Sequence, residues 1–217
     1  MTEYHKIQTI FKRDSNTRFK TLLEGDYSLP VFDYLKHNQW IFTEKVDGTN
    51  IRIMIKDNNI FFGGKTENAQ IPFELVNRLH SIFDPQQNKL IELFPNGACL
   101  YGEGYGAKIQ SGGNYSPTQE FVLFDVKIGD WWLERYNIEN IATKLNLQVV
   151  PIVGEGTLLE MVEIARRGII SHWGNFSAEG LVARPKCEFS TRNGERIITK
   201  IKTKDFIHLS RSIQLPQ

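Results

Sequence analysis

The chain has 217 residues, enough for one large or two small domains and for a core that needs no disulfide staples. With 41% hydrophobic and 24% charged residues and a formal net charge of +1, it reads as an ordinary globular protein without a global basic field, so any nucleic-acid binding must use a local patch. Cys99 and Cys187 lie far apart without metal-ligand spacing, and His5, His37, His80, His172 and His208 do not cluster, which argues for a reducing compartment and against a zinc site or a histidine triad. The N-terminus lacks an apolar signal core, and no apolar run approaches the roughly 20 residues of a membrane helix. A cytoplasmic location and no membrane association are expected.

Taken in order, His5–Arg13 alternates weakly and reads as an edge strand. Tyr27–Pro30 reads as a turn and Val31–Lys36 as a short helix. Strands are expected over Gln39–Val46, Asn50–Lys56 and Ile60–Gly63, with Asp57-Asn58-Asn59 turning the hairpin between the last two. Pro72 opens a helix over 72–83 with Phe73, Val76, Leu79 and Phe83 near one face. Asp84–Asn88 reads as a loop. Strands over Ala98–Tyr101 and Phe121–Ile128 flank a glycine-rich stretch, Gly102–Pro117, read as a long functional loop. Asn137–Leu145 is expected to be a helix with Ile138, Ile141, Ala142 and Leu145 inward, and Gln148–Val153 a strand. Thr157-Leu158-Leu159-Glu160 has capping-box spacing and Gly168 is a C-cap, so 158–167 is a helix. Gly180–Arg184 and Arg196–Lys202 are the last strands. There is no repeat and no linker, so one domain over 1–217 is expected. Strands with interspersed helices but no regular βαβ alternation favour an α+β fold with antiparallel sheets.

Two familiar motifs fail. Gly63-Gly64-Lys65-Thr66 resembles the end of a phosphate-binding P-loop, but Asn59 stands where that motif needs glycine and Pro72 follows too soon for the helix that should begin at the lysine. Gly102, Gly104 and Gly106 are spaced two apart, with Glu103 where a pyrophosphate would lie, so a dinucleotide-binding turn fails too.

A different set holds. Lys45-x-Asp47-Gly48-x-Asn50 stands at the head of an alternating strand. It is followed by Gly102-Glu103-Gly104, then Phe121-x-x-Phe124-Asp125, then Glu179-Gly180-Leu181-Val182-Ala183-Arg184, then Lys200-Ile201-Lys202. Each element alone is common. Together and in this order, from about Lys6 to Phe206, they resemble the covalent nucleotidyltransferases, the superfamily of polynucleotide ligases and RNA-capping enzymes. Asn50 at the end of the first motif is similar to the ATP-dependent RNA ligases of the RNA-repair branch, where DNA ligases and capping enzymes usually carry arginine.

The resemblance implies a nucleotidyltransferase (ATP-grasp-like ligase) fold, with antiparallel sheets flanked by helices around a nucleotide cleft. It implies ATP and Mg²⁺ as cofactors, with Mn²⁺ as a substitute, and RNA bearing 5′-phosphate and 3′-hydroxyl ends as partner. Lys45 is the expected nucleophile, forming a lysyl-AMP. A lysine attacks only as the free amine, a form that burial and nearby positive charge favour. Lys200 and Lys202, two apart on a strand and so on one face, supply that charge, bind the α-phosphate region and stabilise charge in the transition state. Asp47, Glu103 and Glu179 are expected to hold the hydrated metal and to orient Lys45. Phe124 is expected to stack on adenine, Glu103 and Asn50 to contact the ribose region, and Glu44 to flank the adenine pocket with Lys45. Arg184 stands where the family carries a basic residue after its Glu-Gly motif. Lys65 stands where related ligases often have arginine, and lysine cannot form the planar bidentate clamp on phosphate.

Ligases of this superfamily usually carry a second domain, often an OB-fold, and the short tail after Lys202 leaves no room for one, so a stand-alone adenylyltransferase domain without a C-terminal OB domain, with a monomer favoured, is expected. The loop Gly104–Pro117, with Lys108, Gln110, Asn114 and Tyr115, is the expected contact for RNA. The alternatives are a DNA ligase, a GTP-dependent capping-type enzyme, and a non-catalytic module that binds RNA ends.

Overall fold

The computed structural model describes residues 3–206. The described residues form two compact units interleaved in sequence, one of residues 3–5 and 46–150, the other of residues 6–45 and 151–206.

The first unit is built on a five-stranded antiparallel sheet of order β6-β5-β7-β8-β9. Its strands are β5 (Thr49–Lys56), β6 (Asn59–Gly63), β7 (Ala98–Tyr105), β8 (Glu120–Ile128) and β9 (Trp131–Trp132). The β5–β6 hairpin closes as expected, with Asp57 and Asn58 both at positive φ, a conformation asparagine and aspartate tolerate best after glycine. Period-two alternation puts Ile51, Ile53 and Ile55 on one face, where they pack with Leu100, Leu123 and Val126 against helices α2 (Phe73–Phe83), α3 (Gln87–Leu93) and α4 (Arg135–Leu145). Each such fully buried side chain contributes about 1.5–3 kcal/mol of burial free energy.

Three local expectations are corrected here. The inward stripe of α2 is Leu75, Leu79 and Phe83, while Phe73 is exposed. Phe73 lies two residues from Leu75, about 200° around the helix, so both cannot face the sheet. The expected loop over 84–88 is a short 3₁₀ turn running into α3, which sequence reading overlooked because its one buried side chain, Leu90, leaves too short an apolar repeat. The glycine-rich stretch does not begin as a loop: β7 runs on through Gly102, Glu103 and Gly104 to Tyr105.

The second unit holds a five-stranded sheet of order β1-β12-β11-β4-β10, formed by β1 (Gln8–Thr9), β4 (Trp40–Lys45), β10 (Ile152–Gly156), β11 (Gly180–Pro185) and β12 (Thr199–Lys202). Its pairs are antiparallel except β1 with β12, which run parallel. A hairpin of β2 (Phe11–Arg13) and β3 (Leu22–Tyr27) and the short helix α1 (Pro30–Tyr34) complete it on one side, and α5 (Leu158–Arg167) packs on β11 and β12. Helix α5 starts with the expected capping box: the Thr157 side chain accepts from the Glu160 N–H and the Glu160 carboxylate accepts from the Thr157 N–H. Strand β10 lies later than read, at 152–156, and β12 is shorter, beginning at Thr199. The core is Trp40, Phe42, Leu181, Ala183 and Ile201 against Leu158, Met161 and Ala165.

Candidate active site

In the second unit, strict alternation sorts the side chains of three adjacent strands. On β4, Trp40, Phe42 and Glu44 are buried, and Ile41, Thr43 and Lys45 are only partly covered. On β11, Leu181 and Ala183 are buried and Val182 and Arg184 lie on the other face, while on β12 Thr199 and Ile201 are buried and Lys200 and Lys202 are not. Register then aligns rows across the strands. Lys45 is opposite Gly180, which is opposite Lys202; Thr43 is opposite Val182, which is opposite Lys200; Arg184 is opposite Ile41. Lys45, Lys200, Lys202 and Arg184 therefore share one face of this sheet. Gly180 between the two lysines is required by close approach, since a Cβ there would stand 2.0 Å from the Ile201 carbonyl oxygen.

Glu179, one residue before β11, joins the ends of the row. Its Oε2 accepts from Lys45 Nζ at 2.5 Å and its Oε1 from Lys202 Nζ at 2.6 Å. The three side chains are 12–25% exposed, sheltered enough for charge to matter and open enough for a ligand to reach. The carboxylate fixes both ammonium groups at hydrogen-bond distance from one point.

Glu44 has a different environment from its neighbour Lys45. It projects to the buried face of β4, where it accepts from Ser171 Oγ at 2.6 Å and from the His172 N–H at 2.9 Å. The His172 ring stands 3.3 Å from the same carboxylate. In this arrangement Glu44 anchors the segment after α5.

The remaining expected residues belong to the first unit. Asp47 and Gly48 form the turn into β5. The Asp47 carboxylate accepts from the Ser111 N–H at 3.2 Å, and the Asp47 N–H reaches the Tyr115 hydroxyl at 3.4 Å. Gly48 lies against β7, where a Cβ would sit 2.3 Å from the Gly104 carbonyl oxygen and 2.9 Å from Glu103 Cγ. Asn50 is opposite Glu103, so the two residues expected near a ribose are cross-strand neighbours. Asn50 Oδ1 is buried without a hydrogen-bond partner among the described residues, an acceptor available to a ligand's donor. Phe124 is the extra residue of a bulge in β8, since Tyr101 pairs with Asp125 and Gly102 with Leu123. Its half-buried ring meets Tyr4 edge-on at 5.1 Å, and Tyr4 donates to the buried Asp125 at 2.8 Å. Lys65 is exposed just beyond β6, and no helix begins at it, in keeping with the rejected P-loop.

Two side groups were not expected in their observed roles. Arg52 is buried, and its Nε donates to the Gly64 carbonyl at 2.8 Å, tying the turn after β6 to β5. Its shared face with Asn50 was legible from the alternation, but its burial was not. The loop 106–117 is an ordered brace for the Asp47 turn. Tyr115 is buried and Lys108 pairs with Glu74 at 2.9 Å, so the stacking face expected of this loop for RNA is not presented.

Among the described residues no three His, Cys, Asp or Glu side chains are grouped to hold a metal ion. The donors that are present are separate carboxylates, one of them held by two ammonium groups. That set fits a hydrated Mg²⁺, which keeps most of its waters and takes one or two carboxylates together with substrate phosphates.

A sequence profile of RNA ligases matches residues 38–202, most of the chain. The chain belongs to the RNA ligase family. Solved structures similar to it include those of Naegleria gruberi RNA ligase. A variant solved with ATP and Mn is 18% identical with a TM-score of 0.69, covering 97% of this chain and 58% of that one. The form with pyrophosphate is 21% identical with a TM-score of 0.63, covering 98% and 60%. A variant with AMP and Mn is 18% identical with a TM-score of 0.65, covering 96% and 60%. This RNA ligase family chain thus has their fold across nearly all its length and spans about 60% of theirs. The matched span 38–202 contains every one of the expected site residues, from Glu44 to Lys202.

Proposed function

We propose that this chain is an ATP-dependent RNA ligase that carries the adenylyltransferase site, acting in the cytoplasm through a covalent adenylate on Lys45. The observation that carries the proposal is the row Lys45, Gly180, Lys202 with Glu179 bridging its two amines. A lysine held at a fixed point beside a second cation is suited to meet a phosphate, and surface lysines without such a partner are not.

Three in-line displacements at phosphorus follow. In the first, Lys45 Nζ gives its proton to water and leaves Glu179, its nitrogen bonds to the α-phosphorus of ATP, and the bond to pyrophosphate breaks. In the second, an oxygen of an RNA 5′-phosphate attacks that phosphorus, the P–N bond to Lys45 breaks, and the released amine takes up a proton from water. In the third, a 3′-hydroxyl gives its proton to water and attacks the 5′-phosphorus, and AMP leaves as the strand is sealed. Lys200 and Lys202 hold the α-phosphate region through each step, and Lys202 exchanges its contact with Glu179 for phosphate oxygens. Phe124 stacks on adenine, Asn50 and Glu103 hold the ribose, and Arg184 and Lys65 contribute cationic contacts. Glu44 acts from the buried face by fixing the end of β4. Asp47, Glu103 and Glu179 would hold a hydrated Mg²⁺ or Mn²⁺, which supplies charge neutralisation on the phosphates.

The test is intact mass after incubation with ATP and Mg²⁺, in protein first treated with pyrophosphate to remove any adenylate it carries. One added AMP on the native chain, absent from Lys45→Ala and absent with GTP or NAD⁺, is expected. An adduct from GTP would move the chain to capping chemistry, and no adduct from any donor would leave an RNA-end-binding module in place of an enzyme.

A further inference from the structure

Within the second unit a groove of about 1220 Å³ runs along the β1, β2 and β12 edge. Among the described residues seven of its thirteen lining side chains are basic, and one, Asp205, is acidic. That acid is neutralised by Arg13, which holds it through two bonds of 2.9 and 3.0 Å. Lys12 pairs with the exposed Asp26 at 2.7 Å and Lys202 with Glu179, while Lys6, Lys20 and Lys204 are exposed and make no ion pair among the described residues, so the groove keeps a net positive field although the whole chain carries only +1. One wall is Lys200 and Lys202, the lysines of the proposed nucleotide site.

The groove also carries an aromatic. Phe19 is 64% exposed, at the tip of the turn between β2 and β3. Arg18 and Phe19 are consecutive non-glycine residues at positive φ, 55° and 59°, a strained pair that persists only where the surroundings hold it. The holding groups are visible. Asp14 caps the turn from its start, its carbonyl accepts from the Phe19 N–H at 2.9 Å, and Arg13 Nη1 donates to the Phe19 and Lys20 carbonyls. An apolar ring is thus fixed outward over a cationic surface, where solvation alone would favour a polar residue.

We propose that this groove takes an unpaired segment of RNA, with Phe19 stacked on a base and Lys6, Lys12 and Lys20 on successive phosphates. Sequence-tolerant binding of single strands needs a positive channel with stacking rings, and both are here. Laid along the groove, the strand leads toward Lys200 and Lys202. The inference rests on the ligase proposal for taking RNA as the polyanion.

The experiment uses the full chain and a labelled single-stranded oligoribonucleotide with a 5′-phosphate. Affinity is followed by anisotropy over a range of salt concentrations, and Lys45 adenylation by intact mass. Phe19→Ala is expected to weaken binding by about 5- to 150-fold, the scale of one lost base–aromatic stack, and Phe19→Trp to keep it. Lys12→Ala with Lys20→Ala is expected to flatten the plot of log affinity against log salt by about 1.4, at about 0.7 per single-strand phosphate. Adenylation stays at the wild-type value and the melting temperature close to it, because these side chains are exposed and the one ion pair lost, Lys12 with Asp26, lies at the surface, where such a pair contributes about 0–1 kcal/mol. RNA affinity unchanged in all variants would overturn the inference. So would loss of adenylation with RNA affinity retained, which would assign the groove to the triphosphate, and so would Phe19-independent binding with a preference for duplex. If no variant and not even the native chain forms an adenylate, yet Phe19 and the lysines still control RNA affinity, the groove stands and the ligase proposal falls.

Discussion

Lys45 and Glu44 are neighbours in sequence with opposite fates, because a strand turns successive side chains to opposite faces. Lys45 meets Glu179 and Glu44 meets Ser171 and His172. This separates two effects of mutation. Glu44→Gln places an amide N–H₂ among groups that are themselves donors and should cost about 1–3 kcal/mol of stability, the scale of a buried unsatisfied polar group. The urea midpoint checks it. Lys202→Ala should leave the midpoint near the native value and slow adenylate formation by on the order of 10²-fold or more, the scale for removing one preorganised donor at a reacting centre. Rapid-quench measurement of the first turnover with labelled ATP reads it directly. Equal slowing by both variants with no change in stability would reverse this division of roles.

At the scale of elements, the first motif is a strand end, a turn and a second strand start, and each part has its own support. Gly48 lies so close to β7 that Gly48→Ala must displace the Gly104 carbonyl or Glu103, at a cost of about 1–3 kcal/mol as for other overpacked sites. Helix α5 depends on its first turn. The Thr157 N–H and then its hydroxyl hold the Glu160 carboxylate below its ordinary pKa. A depressed carboxylate contributes stability above its unfolded value and loses it as pH falls through the folded one, so this contribution disappears on the acid side and is constant at neutral pH. Thr157→Ala removes the cap and should cost about 0.5–2 kcal/mol near neutrality, with a smaller difference from the native chain in acid. Denaturant midpoints at the two pH values test both the size and the sign. The helices and strands with strong periodicity were legible in the sequence. Helix α3 and strand β9 were not, since each is short, and strand β3 was not, since its six residues are mostly exposed and show no alternation.

Across the whole molecule, each compact unit has its own apolar core, and each carries one cysteine. Cys99 is buried in β7, and desolvation raises its thiol pKa, which suppresses the reactive thiolate. Cys187 is exposed. Brief alkylation at neutral pH should therefore add one label to the native chain, at Cys187, and two after unfolding, as read by peptide mass mapping. Label at Cys99 in the native chain would mean that β7 opens readily, and with it the strand that carries Glu103.

The sequence by itself determined the α+β class, the order of five short motifs and the likeness to RNA ligases, because those depend on residue types and spacings along the chain. It also placed Lys200 with Lys202, since a period of two needs no partner. Only the tertiary structure decided that Lys45 and Lys202 share one carboxylate, because that depends on the registers of β4 with β11 and of β11 with β12, over 130 residues apart in the case of Lys45 and Glu179. It alone buried Arg52 and Tyr115 and set the loop after β7 as a brace for the Asp47 turn. It also gathered Lys6, Lys12 and Lys20 beside Lys200 and Lys202, where the parallel pairing of β1 with β12 joins strands about 190 residues apart in sequence. Charge summed over the chain conceals such a patch, since the field at a surface depends on which charges are neighbours in space.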